Sequence, residues 1–192
     1  MHLGHAVIVV NDLDQMLAFY SEVLGLQVSD IGTGAGRPGT PRVAFLSSDP
    51  PTTHHQLGLL ELPRDLDAPQ NVNHLAFEVD SLDALRAVWG RVRGDSRAGG
   101  LAFPSPATAF QGDQWSIRFS DPEGNGVEVY APTPWDARAA STPYTNTPGR
   151  LFEPFDLDLS DEELTEWGAR HMDEVGQEYW PRGERPWLSR RL

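Results

Sequence analysis

Two histidines recur at equivalent positions in two similar segments of the chain. His5 lies in GHAVIVVNDLD and His74 in NHLAFEVDSLD, and the segments also share a valine five residues later and then a Leu-Asp pair. A third candidate is Glu128, in the apolar segment GVEVYA. Two neutral imidazoles and one carboxylate suit Fe(II), and Mn(II) or Zn(II) could also bind them. Taken alone, each histidine can equally be interpreted as an ordinary solvated side chain at a strand end.

The strands that carry these residues predict the direction of each side chain. Because side chains at i and i+2 share a face, each candidate ligand is expected opposite the apolar positions that pack under a helix. These apolar positions are Ala6, Ile8 and Val10 for His5, Leu75, Phe77 and Val79 for His74, and Val127 and Val129 for Glu128. If the sheet is curved and closes on itself, the three candidates converge on its helix-free face.

Each copy of the repeat begins with a strand, a capping residue and a helix. Asn11 or Asp12 can cap the first helix, which ends at Gly25, and Ser81 can cap the second, which breaks up near Gly94. Strand-like segments follow each helix: LQVSD, RVAFLS and HHQLGLLEL, then GLAF, WSIRFS and GVEVYA. The pattern predicts an α+β fold of two β-α-β-β-β modules.

Residues 1–132 are expected to form one domain, with modules at about 1–62 and 72–132. Residues 133–192 are richer in Pro, Thr and Asp and are predicted to be a C-terminal extension that wraps the core or a neighbouring subunit. A helix is expected over roughly 160–179, with Ser160 and Glu163 as a capping box. Its His171 is expected to be solvated. Tryptophans are interpreted as anchors of the extension: Trp135, Trp180 and Trp187.

Composition excludes several classes of partner. The chain has 28 acidic and 15 basic residues, a formal charge of −13, and no basic stripe that could neutralise phosphates. Nucleic acid and anionic membranes are therefore not expected partners. The chain has no cysteine, and no apolar run approaches the length of a membrane span or signal segment. A cytoplasmic protein is the default expectation.

Three segments together resemble the vicinal oxygen chelate superfamily over residues 3–131. They are LGHAVIVVNDLDQMLAFYSEVLGL, VNHLAFEVDSLDAL and FSDPEGNGVEVY, of which the Asp-Pro-Glu-Gly-Asn-Gly turn is the most specific. The resemblance implies paired βαβββ modules that form a curved mixed-sheet cup around a divalent metal. It places His5, His74 and Glu128 on the three metal positions of the family.

The resemblance further implies an Fe(II)-dependent extradiol dioxygenase that cleaves a small catecholic aromatic substrate with O2. His55 matches the histidine at the start of the fourth strand that moves protons in such enzymes, while His54 is expected to point the other way. Two adjacent histidines at an exposed strand start could also be ordinary polar residues.

Two positions depart from many ring-cleaving relatives, which have a tyrosine ten residues before the ligand glutamate and a histidine or asparagine about seventeen before it. This chain has Arg118 and Gln111 there. Gln111 is expected to bind substrate or oxygen. Arg118 is expected either to form an ion pair or to bind a substrate carboxylate. Tyr130 is expected to line the cup.

Two alternative functions remain open, because the fold hosts several chemistries. One is a glyoxalase-like isomerase, lyase or transferase, which would need a second carboxylate near the metal, such as Glu61 on the predicted face of His55. The other is a metal-free module that binds an aromatic drug. Glu78 is expected to be an outer or surface group. The paired modules and the aromatic extension make a homo-oligomer, a dimer or larger, plausible.

Overall fold

The structure of the protein is a computed structural model. The residues described are 3–33, 40–66, 72–110, 114–133 and 153–179, with backbone alone for 172–179. The elements within these ranges are β1 (Ala6–Val10), α1 (Leu13–Leu24), β2 (Gln27–Thr33), β3 (Arg42–Ser47), β4 (Leu57–Glu61), β5 (His74–Glu78), α2 (Leu82–Val92), β6 (Ala107–Phe110), β7 (Gln114–Ser120), β8 (Gly126–Pro132) and α3 (Asp161–Tyr179).

The first four strands form one mixed sheet in the order β1-β4-β3-β2. β1 runs parallel to β4, with Ala6 opposite Leu57 and Val10 opposite Glu61. β3 is antiparallel to β4 and to β2, and a register shift interrupts β2 between Val28 and Asp30. The parallel pairing of β1 with β4 places the segment before β4 next to the segment before β1, where His5 lies.

The last four strands form a second sheet in the equivalent order, β5-β8-β7-β6. The matching order confirms the predicted repeat and the α+β class of paired β-α-β-β-β modules. The prediction of a strand at GLAF was wrong: residues 100–103 lie outside any strand, and the strand is Ala107–Phe110, antiparallel to β7. The chain folds back closely on itself at Gly99. A Cβ on this residue would lie 2.7 Å from the backbone oxygen of Pro104.

Helix α1 begins and ends where the sequence predicts. The side chain of Asp12 accepts a hydrogen bond from the backbone N–H of Gln15, and Gly25 ends the helix with a left-handed φ of 75°. The buried face of α1 packs on the first sheet, whose facing residues are almost fully removed from water. The buried residues are Leu13, Met16, Phe19, Tyr20 and Val23 on the helix and Ala44, Leu46, Leu57 and Leu59 on the sheet.

The contacts divide the chain into two compact units. The first unit comprises Met1–His74, Gly94–Ser105 and Phe119–Gly126, and the second comprises Leu75–Arg93, Pro106–Arg118 and Val127–Leu192. Two segments of the second repeat, 94–105 and 119–126, thus belong with the first repeat.

Part of the predicted extension packs within the second unit. Ser160 and Glu163 form the predicted capping box at the start of α3, with their side chains accepting from each other's backbone N–H groups. Arg86 on α2 donates to the carbonyl oxygens of Leu157 and Leu159. No helix in the described part of the chain is long and apolar enough to cross a membrane.

An aromatic cluster joins α3 to the second sheet. The ring of Trp167 lies 6.1 Å from that of Trp115 and stacks on that of His171 with centroids 5.2 Å apart. His171 is buried, so the prediction that it is solvated was wrong. Because Trp115 is fully buried beside Phe155, this part of the extension contributes to the core. The predicted anchors Trp135, Trp180 and Trp187 lie outside the described residues.

Candidate active site

The face of the first sheet opposite α1 is apolar and open to water. On β1, Val7 and Val9 are 49% and 37% exposed, whereas Val10 is fully buried on the helix side. Gly58 on β4 has no side chain on this face. A Cβ there would lie 3.0 Å from the side chain of Val7 and 3.5 Å from that of Phe45. The alternation predicted for β1 is therefore correct, and His5 precedes the exposed apolar face.

His55 lies against His5 at the edge of this face. The ring centroids of the two histidines are 4.3 Å apart, and the ring of His55 is 4.5 Å from that of Phe45. The structure thus brings together the residue predicted to move protons and one of the predicted metal ligands. Burial lowers the pKa of His55, and the neighbouring imidazoles of His5 and His54 lower it further, so the neutral ring is favoured.

His54 does not point away from His55, and that expectation was wrong. Its Nδ1 is 2.8 Å from Nδ1 of His55, and its ring lies 5.7 Å from that of Phe45. The prediction extended strand alternation to His54, but β4 begins only at Leu57. Both histidines belong to the loop before the strand, where alternation does not apply.

Glu61 was predicted on the face of His55, and the structure contradicts this. Its carboxylate accepts from the backbone N–H of Leu13 at 3.2 Å and forms an ion pair with Arg42 at 3.3 Å. It therefore lies at the start of α1, where the unpaired N–H groups of a helix favour an anion. Glu61 is therefore not placed to serve as the second carboxylate of the isomerase alternative.

Glu128 is buried in the second unit and paired with Arg118. Its Oε1 lies 3.1 Å from both Nε and Nη2 of Arg118 and 3.4 Å from Nε2 of Gln114. Of the two expectations for Arg118, the structure shows the ion pair. The guanidinium holds a carboxylate that would otherwise be costly to bury.

His74 and Tyr130 each have a polar partner within their own unit. Nδ1 of His74 donates to Oδ1 of Asn73 at 2.8 Å, a pattern that fixes ring orientation in many ligating histidines. The hydroxyl of Tyr130 donates to Glu78 at 2.9 Å, and Glu78 is exposed, as expected for an outer group. Gln111 lies outside the described residues.

The Asp-Pro-Glu-Gly-Asn-Gly turn has a structural role that sequence reasoning missed. Asp121 is fully buried and accepts from the hydroxyl of Tyr20 at 2.9 Å and from the backbone of Asn125 at 2.8 Å. Glu123 accepts from the backbone N–H groups of Asn11 and Asp12 before α1. Burial, with the nearby charge of Asp121, raises the pKa of Tyr20 well above its usual range, so its hydroxyl stays a donor. A tyrosine in the apolar stripe of α1 was the available signal.

The last glycine of the turn allows the chain to pass His74 closely. A Cβ on Gly126 would lie 2.3 Å from the carbonyl oxygen of Asn73 and 3.0 Å from Cβ of His74. A Cβ cannot lie 2.3 Å from a carbonyl oxygen, so only glycine fits at position 126 without a shift of the backbone. The turn therefore fixes the backbone beside the predicted ligand His74, and it ends two residues before the predicted ligand Glu128.

The three predicted ligands fit a divalent metal by type. Two imidazoles and a carboxylate are a known set for Fe(II), and the chain offers no thiolate. His5 and His74 belong to the first unit and Glu128 to the second. Among the described residues, no group of three or more histidine, aspartate or glutamate side chains is arranged so that it could hold a metal ion.

Comparison with known proteins agrees with the fold. The chain is 35% identical over 137 residues to biphenyl-2,3-diol 1,2-dioxygenase of Metapseudomonas furukawaii and 34% identical over 137 residues to that of Paraburkholderia xenovorans. Each match covers 71% of this chain and 41% of the relative, so the chain spans about two fifths of the length of these relatives.

A solved glyoxylase/bleomycin resistance protein/dioxygenase domain from Frankia sp. EAN1pec has a similar fold. The TM-score is 0.53 at 22% identity, covering 69% of this chain and 98% of that domain. The family model of the Glyoxalase/Bleomycin resistance protein/Dioxygenase superfamily matches residues 2–129, which includes both repeats and all three predicted ligands. The chain therefore belongs to this superfamily, as the repeated histidine segments and the Asp-Pro-Glu-Gly-Asn-Gly turn predicted.

Proposed function

We propose that this protein is an Fe(II)-dependent extradiol dioxygenase that cleaves a small catecholic substrate with O2. The observation that carries the proposal is the contact of His55 with His5, 4.3 Å between ring centroids, at the edge of an exposed apolar face. The contact puts a neutral base beside a proposed ligand. The likeness to two biphenyl-2,3-diol 1,2-dioxygenases supports the same class of substrate.

His5, His74 and Glu128 would hold the metal, with Fe(II) as the first choice and Mn(II) or Zn(II) as possible substitutes. When bound, such an ion acts as a Lewis acid toward the diol oxygens and orients the substrate and O2. The hydrogen bond from His74 to Asn73 would keep that ring in one tautomer and orientation. The guanidinium of Arg118 would orient the carboxylate of Glu128. We therefore assign Arg118 to the carboxylate rather than to the substrate.

The chain's own residues would bind the ring and move the proton. Val7, Val9 and Phe45 offer an apolar surface on which an aromatic ring displaces water. His55 would accept a proton from a catechol hydroxyl, which a neutral imidazole does near neutral pH. Tyr130 and Gln111 remain proposed substrate contacts.

The test is anaerobic reconstitution of the full chain with Fe(II), followed by oxygen uptake and visible absorbance with a panel of catechols that includes biphenyl-2,3-diol. We expect oxygen uptake coupled to a yellow ring-opened product. We expect the His55→Ala variant to lower kcat by roughly 10²- to 10⁴-fold, the usual contribution of a general base. Glu61→Gln is the matched control, because Glu61 binds the start of α1, and it should keep the activity. Stoichiometric metal without oxygen uptake for any catechol would rule the proposal out.

One observation favours a second candidate, a metal-free module that binds an aromatic molecule. The carboxylate of Glu128 is already neutralised by Arg118, and the exposed apolar face needs no metal to bind a ring. Calorimetric titration separates the two candidates. Tight binding of an aromatic compound in the presence of EDTA, with no measurable binding of Fe(II) or Mn(II), would favour the module.

Self-association remains a prediction. Val28 and Ile31 lie on the edge strand β2 and are 44% and 50% exposed, which supports an interface between copies. Sedimentation analysis of the full chain would show whether a dimer or larger assembly forms.

A further inference from the structure

The two adjacent histidines before β4, His54 and His55, contact each other through their ring nitrogens. Their Nδ1 atoms are 2.8 Å apart, and their rings meet edge to face with an interplanar angle of 85°. The ring of His55 is held in place from two other sides, by His5 and by Phe45. His54 is exposed, whereas His55 is half-buried.

The short distance between the nitrogens indicates a hydrogen bond rather than a shared metal. In a tetrahedral site with metal–nitrogen bonds of about 2.0–2.1 Å, two ligating nitrogens lie about 3.3 Å apart. The 2.8 Å separation is shorter than this and falls in the range of nitrogen hydrogen bonds.

A hydrogen bond between two neutral imidazoles requires opposite tautomers. One Nδ1 must carry the proton, and the other must be unprotonated with its own proton on Nε2. The exposed His54 can keep its Nε2–H in water, which is the tautomer that a free histidine side chain favours. Its Nδ1 is then the acceptor, and the proton in the bond belongs to His55.

We propose that His54 is a positioning residue that holds His55 in the Nδ1–H tautomer by accepting its hydrogen bond. The tautomer leaves Nε2 of His55 unprotonated and able to take a proton from a substrate. The role is that of the residue that orients the general base in other catalytic pairs. The catalytic consequence rests on the proposed function, but the tautomer itself does not.

Nitrogen-15 NMR of the imidazole rings tests the tautomer in the metal-free full chain, at about pH 8, above the ordinary pKa of histidine. We expect the parent to show His55 protonated on Nδ1. His54→Phe keeps a ring beside Phe45 but removes the acceptor, so His55 should change to the Nε2–H tautomer. His54→Asn offers an amide oxygen as a substitute acceptor and should restore Nδ1–H. His74 is the internal reference, since its Nδ1–H donates to Asn73 in every variant.

An Nε2–H tautomer of His55 in the parent would overturn the proposal, and so would an Nδ1–H tautomer that persists in His54→Phe. With the Fe(II)-loaded chain, we expect His54→Phe to lower kcat roughly 10- to 100-fold with little change in KM, and His54→Asn to recover most of the loss. If no catechol is turned over, the proposed function fails, while the NMR result still decides the role of His54.

Discussion

Arg118 and Glu128 form an ion pair that offsets the free energy of burying the two charges. The side chains are 14% and 4% exposed, so neither charge is well solvated. Removing one partner of such a pair takes away the charge that balances the other, and breaking a buried ion pair in this way costs about 3–5 kcal/mol. We expect Arg118→Gln and Glu128→Gln each to destabilise the metal-free chain by about 3 kcal/mol.

The double variant is expected to cost much less than the sum of the two single variants, because two amides remain that can hydrogen-bond to each other. Urea unfolding in the presence of EDTA measures all four proteins of this cycle. If the loss of unfolding free energy in the double variant equals the sum of the two single losses to within about 0.5 kcal/mol, the two residues are not coupled.

Individual residues differed in how far the sequence could predict them. The direction of His5 followed from alternation along β1, because Val10 is buried and Val7 and Val9 are exposed. The pairing of His54 with His55 could not be predicted, since both lie in a loop whose dihedral angles no simple period describes. For Arg118, the sequence was compatible with an ion pair or with a substrate carboxylate. The ion pair with Glu128 depends on the register between β7 and β8, which the sequence does not show.

At the scale of elements, helix ends were more predictable than strand ends. The caps Asp12, Gly25 and Ser81 act through local hydrogen bonds and local backbone geometry, which short stretches of sequence specify. The start of β4 and the position of β6 depend on pairing with distant strands. Strand alternation extended back from Leu57 to His55 therefore grouped His55 with Glu61, which the structure places at the start of α1.

The turn at 121–126 is an element whose last glycine has a steric requirement. Gly126→Ala would place a Cβ 2.3 Å from the backbone oxygen of Asn73, which cannot move without shifting the strand that carries His74. We expect a loss of about 3 kcal/mol or more in the free energy of unfolding, at or above the usual range for overpacking.

Gly90 provides the matched control for this variant. It lies inside α2 and has no atom within 4 Å of the place that a Cβ would take. Gly90→Ala should stabilise the chain by about 1 kcal/mol, because alanine is the better helix former. Equal effects of the two substitutions in urea unfolding would contradict the steric argument.

At the scale of the whole chain, the repeat predicted the architecture better than it predicted the distribution of contacts. Both sheets have the equivalent strand order, as two copies of one module should. The turn at 121–126, however, comes from the second repeat and bonds to Tyr20 and Asn11 of the first. These hydrogen bonds join segments about 100 residues apart in sequence, so a local pattern such as the tyrosine in the apolar stripe of α1 does not identify the partner.

The segment after residue 152 is expected to be necessary for stability, although it follows the two repeats. Leu157 and Leu164 are almost fully buried, and Trp167 packs against Trp115. A chain shortened after residue 152 would expose this aromatic surface on the second sheet, so we expect a marked fall in the unfolding temperature and binding of a hydrophobic dye.

The variant Glu166→Ala is the control, because Glu166 is an exposed residue of the same helix, and we expect its unfolding temperature to stay close to that of the parent. The point variant Leu164→Ala should lower the free energy of unfolding by about 2–5 kcal/mol, as for other buried leucines. An unchanged unfolding temperature in the shorter chain would mean that α3 merely covers a core that is complete without it. The burial of Trp115 beside Phe155 and Trp167 argues for the opposite result, because a fully buried tryptophan requires contacts on every side.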